Sequence, residues 1–246
     1  EILDLVGTHS TDPGFVAEVT NCTVSGPYAI TKTSDGYYIL ENSVRSRNLL
    51  ARSLFSTAIW DIRHRDSSLE TETIDTAVSL VGPWCRGYYH WFSEWLPRVE
   101  GAKHYESKTG TSLKYIIPGD PPKWMYDSLK AVGLSDYQMI EWSPKIINVN
   151  TLVIPMISFI SKSDATGYTT SPECFRWLRR QVVNNTLSQP KNNAKRVYIS
   201  REDTTERRVE NQSEVLSMLS SFGFEKYVLS DMSFEDQVQL FHDAET

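Results

Sequence analysis

Three ionisable residues recur at four-residue intervals inside the most aromatic stretch of the chain, RGYYHWFSEWLPRVE. His90, Glu94 and Arg98 stand there among Tyr88, Tyr89, Trp91, Phe92 and Trp95. On a helix, the i, i+4, i+8 spacing sets an imidazole, a carboxylate and a guanidinium along one side. A carboxylate lodged among Trp91, Phe92 and Trp95 would be desolvated, a condition that equips it to accept a proton as a general base. The same spacing also describes an intrahelical ion pair on a partly exposed face, contributing about 0.2–0.5 kcal/mol. Pro97 predicts a kink or a stop, because its ring clashes with the carbonyl four residues back. His-x-x-x-Glu has no third ligand in sight, so the pattern does not support a zinc site.

A second cluster is SREDTTERRVENQSE, residues 200–214. Ser200 and Arg201 close a short apolar run, Arg207 and Arg208 follow, and Asn211 opens a helical pattern. Guanidinium forks and helix N–H groups both favour anions, so arginines on a strand-to-helix loop make a seat for a phosphate. The alternative is a solvated loop whose arginines are balanced by Glu202, Asp203 and Glu206, with Asn211 and Glu214 acting only as N-cap and N3 partner. No dinucleotide-type glycine loop, P-loop, nucleophile elbow or Asp-x-Asp is present. The sequons at Asn21, Asn184 and Asn211 matter only in a secreted protein.

The elements that must position these clusters alternate. The stretch TAVSLVG (76–82) reads as a buried strand leading into the aromatic helix. LKYIIPG, YQMIEW and INVNTLVIP are further strands. PPKWMYDSLKAVGL is a helix, with Pro121 and Pro122 near its first turn and Gly133 as its stop. After a polar, turn-rich segment (162–176) and the helix PECFRWLRRQVVNNTL, a second alternation begins. It runs from the strand RVYIS through a helix with Val215, Leu216, Leu219 and Phe222 on one face to the strand EKYVL. A last helix, capped by Ser233 with Asp236, presents Phe234, Val238 and Phe241. Gly223 sits at a left-handed C-cap position. Ahead of all this, TSDGYYIL carries a hairpin turn at Asp35-Gly36, whereas SRNLLARSLFSTAIW (46–60) has no clear periodicity. Strand–helix–strand repeats imply parallel sheets with helical crossovers.

Composition sets outer limits. At 246 residues, 40% hydrophobic and 23% charged, the chain is an ordinary globular protein of one large or two small domains. A net charge of −6 argues against general nucleic-acid binding. Three widely separated cysteines fit a reducing compartment better than a disulfide framework. The stretch TLVIPMISFI is about half the ~20 apolar residues a spanning helix needs.

Three passages together resemble glycosyltransferase family 61: YYHWFSEWLPRV (88–99), RVYISREDTTERRVENQSEV (196–215) and GFEKYVLSDMSFEDQVQLFHDAE (223–245), about 55 of the 246 residues. The resemblance implies an α/β, GT-B-like fold of two Rossmann-like lobes with parallel sheets. It divides the chain into a β-rich region (1–70), an acceptor-side lobe (71–165) and an incomplete donor-side lobe (166–246), and the family pattern is expected to run on past the last residue. It implies inverting transfer from a nucleotide-sugar donor to a glycan or glycolipid acceptor, with no essential metal and no further cofactor. Carried over residue by residue, Glu94 becomes the catalytic base with His90 orienting or replacing it. Arg201, Arg207, Arg208 and Asn211 hold the donor phosphates, and Tyr89, Trp91 and Arg98 line the acceptor cleft. The expected setting is cytoplasmic, compatible with peripheral membrane association, or the secretory pathway in a eukaryote. The rivals are a non-catalytic glycan- or nucleotide-binding relative, an unrelated doubly wound enzyme lacking its signature motif here, and a purely structural domain that leaves the clustered arginines unexplained.

Overall fold

A computed structural model describes residues 14–39, 47–63, 72–156, 171–188 and 194–245. Most of the polar segment expected to link two units, and most of the loop SQPKNN, lie outside the described residues. The chain forms two compact units, one of Glu1–Pro121 and Leu134–Leu178, the other of Pro122–Gly133 and Arg179–Thr246. It is an α/β protein.

The first unit is built on a seven-stranded sheet in the order β3-β2-β1-β7-β4-β5-β6. The strands are β1 Phe15–Ser25, β2 Ile30–Thr33, β3 Tyr38–Ile39, β4 Glu72–Ser79, β5 Lys114–Pro118, β6 Met139–Trp142 and β7 Ile146–Met156. β7, β4, β5 and β6 run parallel; β1, β2 and β3 extend the sheet antiparallel from β7. β4 therefore has its successor β5 on one side and the later β7 on the other. That reversal of strand order is the crevice-forming switch point of open α/β sheets.

Composition accounts for these strands. β7 is rich in β-branched residues, and Leu152 to Met156 are all buried, as expected of a strand covered on both faces. Pro155 is tolerated because β4 pairs with β7 only as far as Val78↔Val153, leaving Pro155 opposite Val16 of β1 alone. From Phe15↔Met156 to Ser25↔Ile146, β1 follows β7 along its whole length. The β2–β3 hairpin turns at Asp35-Gly36 as predicted, with Gly36 N–H donating to Thr33 O.

The helix α1, Arg47–Arg63, falls on the stretch that showed no periodicity. Its polarity is inverted, since Ser53 and Thr57 are buried while Phe55 and Ile62 are 68% and 65% exposed, so no apolar stripe announces it. α2, Arg98–Thr109, lies over β1 and β7 at Gly101, where an added Cβ would stand 2.8 Å from Pro155 Cβ. TAVSLVG is a strand only as far as Ser79; beyond it Leu80 N–H still bonds Ile116 O before the chain turns away.

The second unit holds β8 Arg196–Ile199 and β9 Phe224–Tyr227, a parallel pair joined through α5, Gln212–Ser220. A parallel bridge, Lys195↔Ala244, lies outside that pair and sets residues 243–245 beside the start of β8. The other helices are α3 Lys123–Ala131, α4 Pro172–Thr186, which spans the unit boundary, and α6 Phe234–Asp243. Met125 and Leu129 of α3 and Phe234 and Val238 of α6 are buried. Ser233 caps α6 as predicted, accepting from Asp236 N–H. Gly133 and Gly223 adopt the left-handed conformation expected of helix stops. Phe222 and Phe241, predicted on core faces, are 59% and 46% exposed; Phe222 lies beyond the last turn of α5 and so leaves its face. No helix among the described residues is long and apolar enough to cross a membrane.

Candidate active site

The aromatic segment begins where β4 ends, at the switch point of the sheet. Leu80 to Gly87 make two successive turns, in which Cys85 N–H donates to Gly82 O at 3.2 Å and Gly87 N–H to Trp84 O at 2.8 Å. Between them Trp84 takes φ +60°, a left-handed conformation costing a bulky L-residue roughly 1–2 kcal/mol. Arg86 reaches across to β5's exit, donating through Nη2 to Asp120 O at 2.9 Å and through Nη1 to Gly119 O. Asp120 N–H in turn donates to Glu141 Oε2 of β6 at 3.0 Å. The C-terminal ends of β4, β5 and β6 are thus tied together by side chains.

A one-turn helix, Tyr88–His90, then passes into a π-turn, Trp91–Trp95. Leu96 N–H bonds Trp91 O, five residues back, at 2.8 Å. Pro97 is the cause: it has no N–H for a regular turn and its ring crowds the Ser93 carbonyl. Ser93 Oγ also bonds Tyr89 O at 2.7 Å, a second local perturbation. The predicted stop is real, and α2 restarts at Arg98.

The π-turn sorts the side chains. Trp91 and Trp95 go inside, 0% and 4% exposed. Glu94 and His90 stay at the surface of the site with 14% and 32% of their side chains exposed, and His90 Nδ1 lies 3.1 Å from Glu94 Oε1. The angle at that contact is not that of a hydrogen bond. His90 also stacks against Trp84, centroids 5.0 Å apart and planes 26° apart, and meets the Tyr89 ring edge-on at 5.3 Å.

Arg98 does not continue the row. It is 1% exposed, its guanidinium lies 4.4 Å over the Trp95 ring, and its Nε donates to Glu94 O at 3.3 Å. Arg98 and Trp91, expected to line an acceptor cleft, are therefore core residues: the guanidinium packs on the Trp95 indole and bonds the Glu94 carbonyl, and the hydrophobic effect places Trp91. Tyr89, 72% exposed, does face outward, and so does Trp84 at 52%. Trp84 had no place in the sequence argument; the Gly-Pro-Trp turn signal directly after a strand was the clue to it.

The second cluster follows β8, which has β9 on one side and the bridged residues 243–245 on the other. Its loop is closed at the base by a latch. Ser200 Oγ donates to Gln212 Oε1 at 2.9 Å, Gln212 Nε2 to Glu202 Oε2 at 3.0 Å, and Glu202 N–H to Ser200 Oγ at 3.2 Å. Lys226 Nζ donates to both Glu202 oxygens at 2.9 Å and holds that carboxyl below the usual range. Glu202 is accordingly a structural partner of Lys226, and no local motif marks the Gln212 link.

Arg201, Arg207 and Arg208 project from this loop, exposed and with no side-chain hydrogen bond or ion pair among the described residues. Arg207 itself has φ +53°. Asn211 stands at the N-cap position of α5, but its side chain donates to Glu214 Oε2 at 3.3 Å and caps no backbone N–H. His90 and Glu94 belong to the first unit, the arginines and Asn211 to the second.

Among the described residues, no three His, Cys, Asp or Glu side chains converge as a metal site. No curated protein matches the chain. The family model for glycosyltransferase 61 matches residues 88–246, starting at the one-turn helix that carries His90 and including the arginine loop. With more than half of its length in that match, the chain belongs to the glycosyltransferase 61 family.

Proposed function

We propose that this protein is an inverting glycosyltransferase that moves a sugar from a nucleotide-sugar donor to a hydroxyl of a glycan or glycolipid acceptor, on a two-lobed GT-B plan. The observation that carries the reading is a shared position. In each unit the candidate cluster follows the C-terminal end of a parallel strand, β4 between β5 and β7 for His90 and Glu94, and β8 paired with β9 for the arginines. Ligands of open α/β sheets bind at such ends.

In the proposed reaction Glu94 takes the proton of the acceptor hydroxyl, with His90 beside it orienting the carboxylate. The acceptor oxygen forms its bond to the anomeric carbon as the bond to the nucleotide diphosphate breaks, which inverts the centre. Arg201, Arg207 and Arg208 receive the charge that develops on the departing phosphate, a role suited to guanidinium groups not engaged by other described side chains. Asn211 adds an amide at the start of α5. This scheme moves the proton and the charge with side chains alone, so no metal is required by it.

The test is nucleotide release by the full-length protein from UDP-, GDP-, TDP- and CMP-sugars. Release with one donor class, lost in Arg201→Ala and Glu94→Gln, is the expected result. No release with any donor, and no thermal stabilisation by any nucleotide, would reject the reading in favour of a non-catalytic binding module.

A further inference from the structure

We propose that Trp84 is a stacking platform for a pyranose ring of the acceptor, forming a saccharide subsite on the turn between β4 and the aromatic segment. The inference rests on the glycosyltransferase reading and gives the acceptor a seat within it. Trp84 stands just ahead of the segment matched by the family model.

Three observations carry it. Trp84 holds a left-handed backbone conformation that glycine would accept without strain, yet the position is occupied by the largest side chain available, and that side chain is 52% exposed. Burial therefore accounts for only part of its presence, and backbone strain of this kind gathers at ligand sites. The indole is also fixed. One face lies along the His90 ring at 5.0 Å, and Tyr89, 72% exposed, stands edge-on to the same imidazole. Trp84, His90 and Tyr89 together make a small aromatic shelf beside the Glu94 carboxylate.

The charge around the shelf selects the ligand class. Glu94 supplies a carboxylate, and Arg86 commits its guanidinium to the carbonyls of Gly119 and Asp120. A diphosphate finds little here, whereas a neutral ring with hydroxyls finds what it needs. The negative face of an indole attracts the polarised C–H bonds on one face of a pyranose. Hydroxyls at that ring's edge then neighbour His90 and Glu94, the pair assigned to take a hydroxyl proton.

The test is 19F NMR of the full-length protein labelled with 5-fluorotryptophan, the Trp84 resonance being identified among the seven by Trp84→Phe. The probes are maltose, cellobiose, lactose and N,N′-diacetylchitobiose, with UDP and GDP as controls. The expected result is a saturable shift of the Trp84 resonance with at least one disaccharide and none with either nucleotide. Trp84→Gly is expected to keep the wild-type thermal midpoint and bind that disaccharide roughly tenfold more weakly, with Trp84→Tyr recovering most of the loss. Unchanged disaccharide binding in Trp84→Gly would overturn the proposal. So would a Trp84 resonance moved only by nucleotides, or by nothing. Nucleotide release from donor sugars, measured on the same preparation, separates the failures: release with a silent Trp84 rejects the subsite alone, and no release rejects the glycosyltransferase reading with it.

Discussion

His90 Nδ1 and Glu94 Oε1 approach to 3.1 Å across one turn, yet the angle between them is not that of a hydrogen bond. The contact sets the imidazole directly beside the carboxylate. Glu94→Gln keeps the shape and removes the basicity. It is expected to lower sugar transfer by roughly 10²–10⁴-fold while the thermal midpoint stays at the wild-type value. Transfer within a few-fold of wild type would remove Glu94 from the mechanism.

The arginine loop allows a cleaner separation of function from stability. Arg201 and Arg207 make no side-chain hydrogen bond or ion pair among the described residues, so Arg201→Ala and Arg207→Ala are each expected to change stability by less than about 0.5 kcal/mol. A charged hydrogen bond to phosphate contributes about 1.5–3 kcal/mol, so donor kcat/KM is expected to fall by roughly 10–100-fold in each. Steady-state kinetics with varied donor, beside urea unfolding, checks both halves.

Gly101 is a packing requirement inside α2. An alanine there gains about 1 kcal/mol of helix propensity, but its Cβ would lie 2.8 Å from Pro155 Cβ and 3.3 Å from Val16 Cγ2. Pro155 is a rigid ring on a paired strand, so the helix has to move, at a cost of roughly 1–3 kcal/mol. Gly101→Ala is therefore expected to be destabilising by about 1 kcal/mol net, read as a lower urea midpoint with an unchanged slope.

Buried and half-buried acids, Cys22, Tyr88 and Cys174 among them, set the alkaline limit of the fold. Burial pushes the Cys22 thiol up to about 11, the Tyr88 phenol up to about 12, and the Cys174 thiol to about 12, the last with help from the neighbouring Glu100 carboxylate. Each folded value lies above its ordinary one, so the folded state retains protons that the unfolded chain releases. The stabilisation is fully present below about pH 9 and is lost as pH rises through the folded values. Melting temperatures are expected to hold level from about pH 7 to 9 and fall between pH 9 and 12. The Cys22 and Cys174 thiols are expected to resist alkylation at pH 8 until the protein is denatured.

Much of this architecture was legible because local signals and tertiary packing agree. The strands β5, β6, β7, β8 and β9, the Ser233 cap and the Gly133 and Gly223 stops all lie where apolar periodicity and turn chemistry set them. Both chemical clusters were also visible as residue types at a spacing. The rest depended on relations that spacing does not encode. The helix α1 buries Ser53 and Thr57 and exposes Phe55, so pattern reading finds no core face. A π-turn caused by Pro97 sends Trp91 and Arg98 inward, where a regular helix placed Arg98 beside Glu94. Trp84 and Gln212 act through a backbone turn and a loop latch, features set by neighbours that lie well outside any local motif.

The ladder between β1 and β7 has a consequence for the birth of the molecule on the ribosome. Its partners, Phe15 with Met156 through Ser25 with Ile146, are separated by more than a hundred residues of chain. At synthesis rates of roughly 5–20 residues per second, β1 waits on the order of ten seconds for its neighbour. Through that interval it offers the β2–β3 hairpin on one edge and an unsatisfied row of amides and carbonyls on the other. The sheet can be completed only once β7, its last strand in sequence, is available to pair with both β1 and β4.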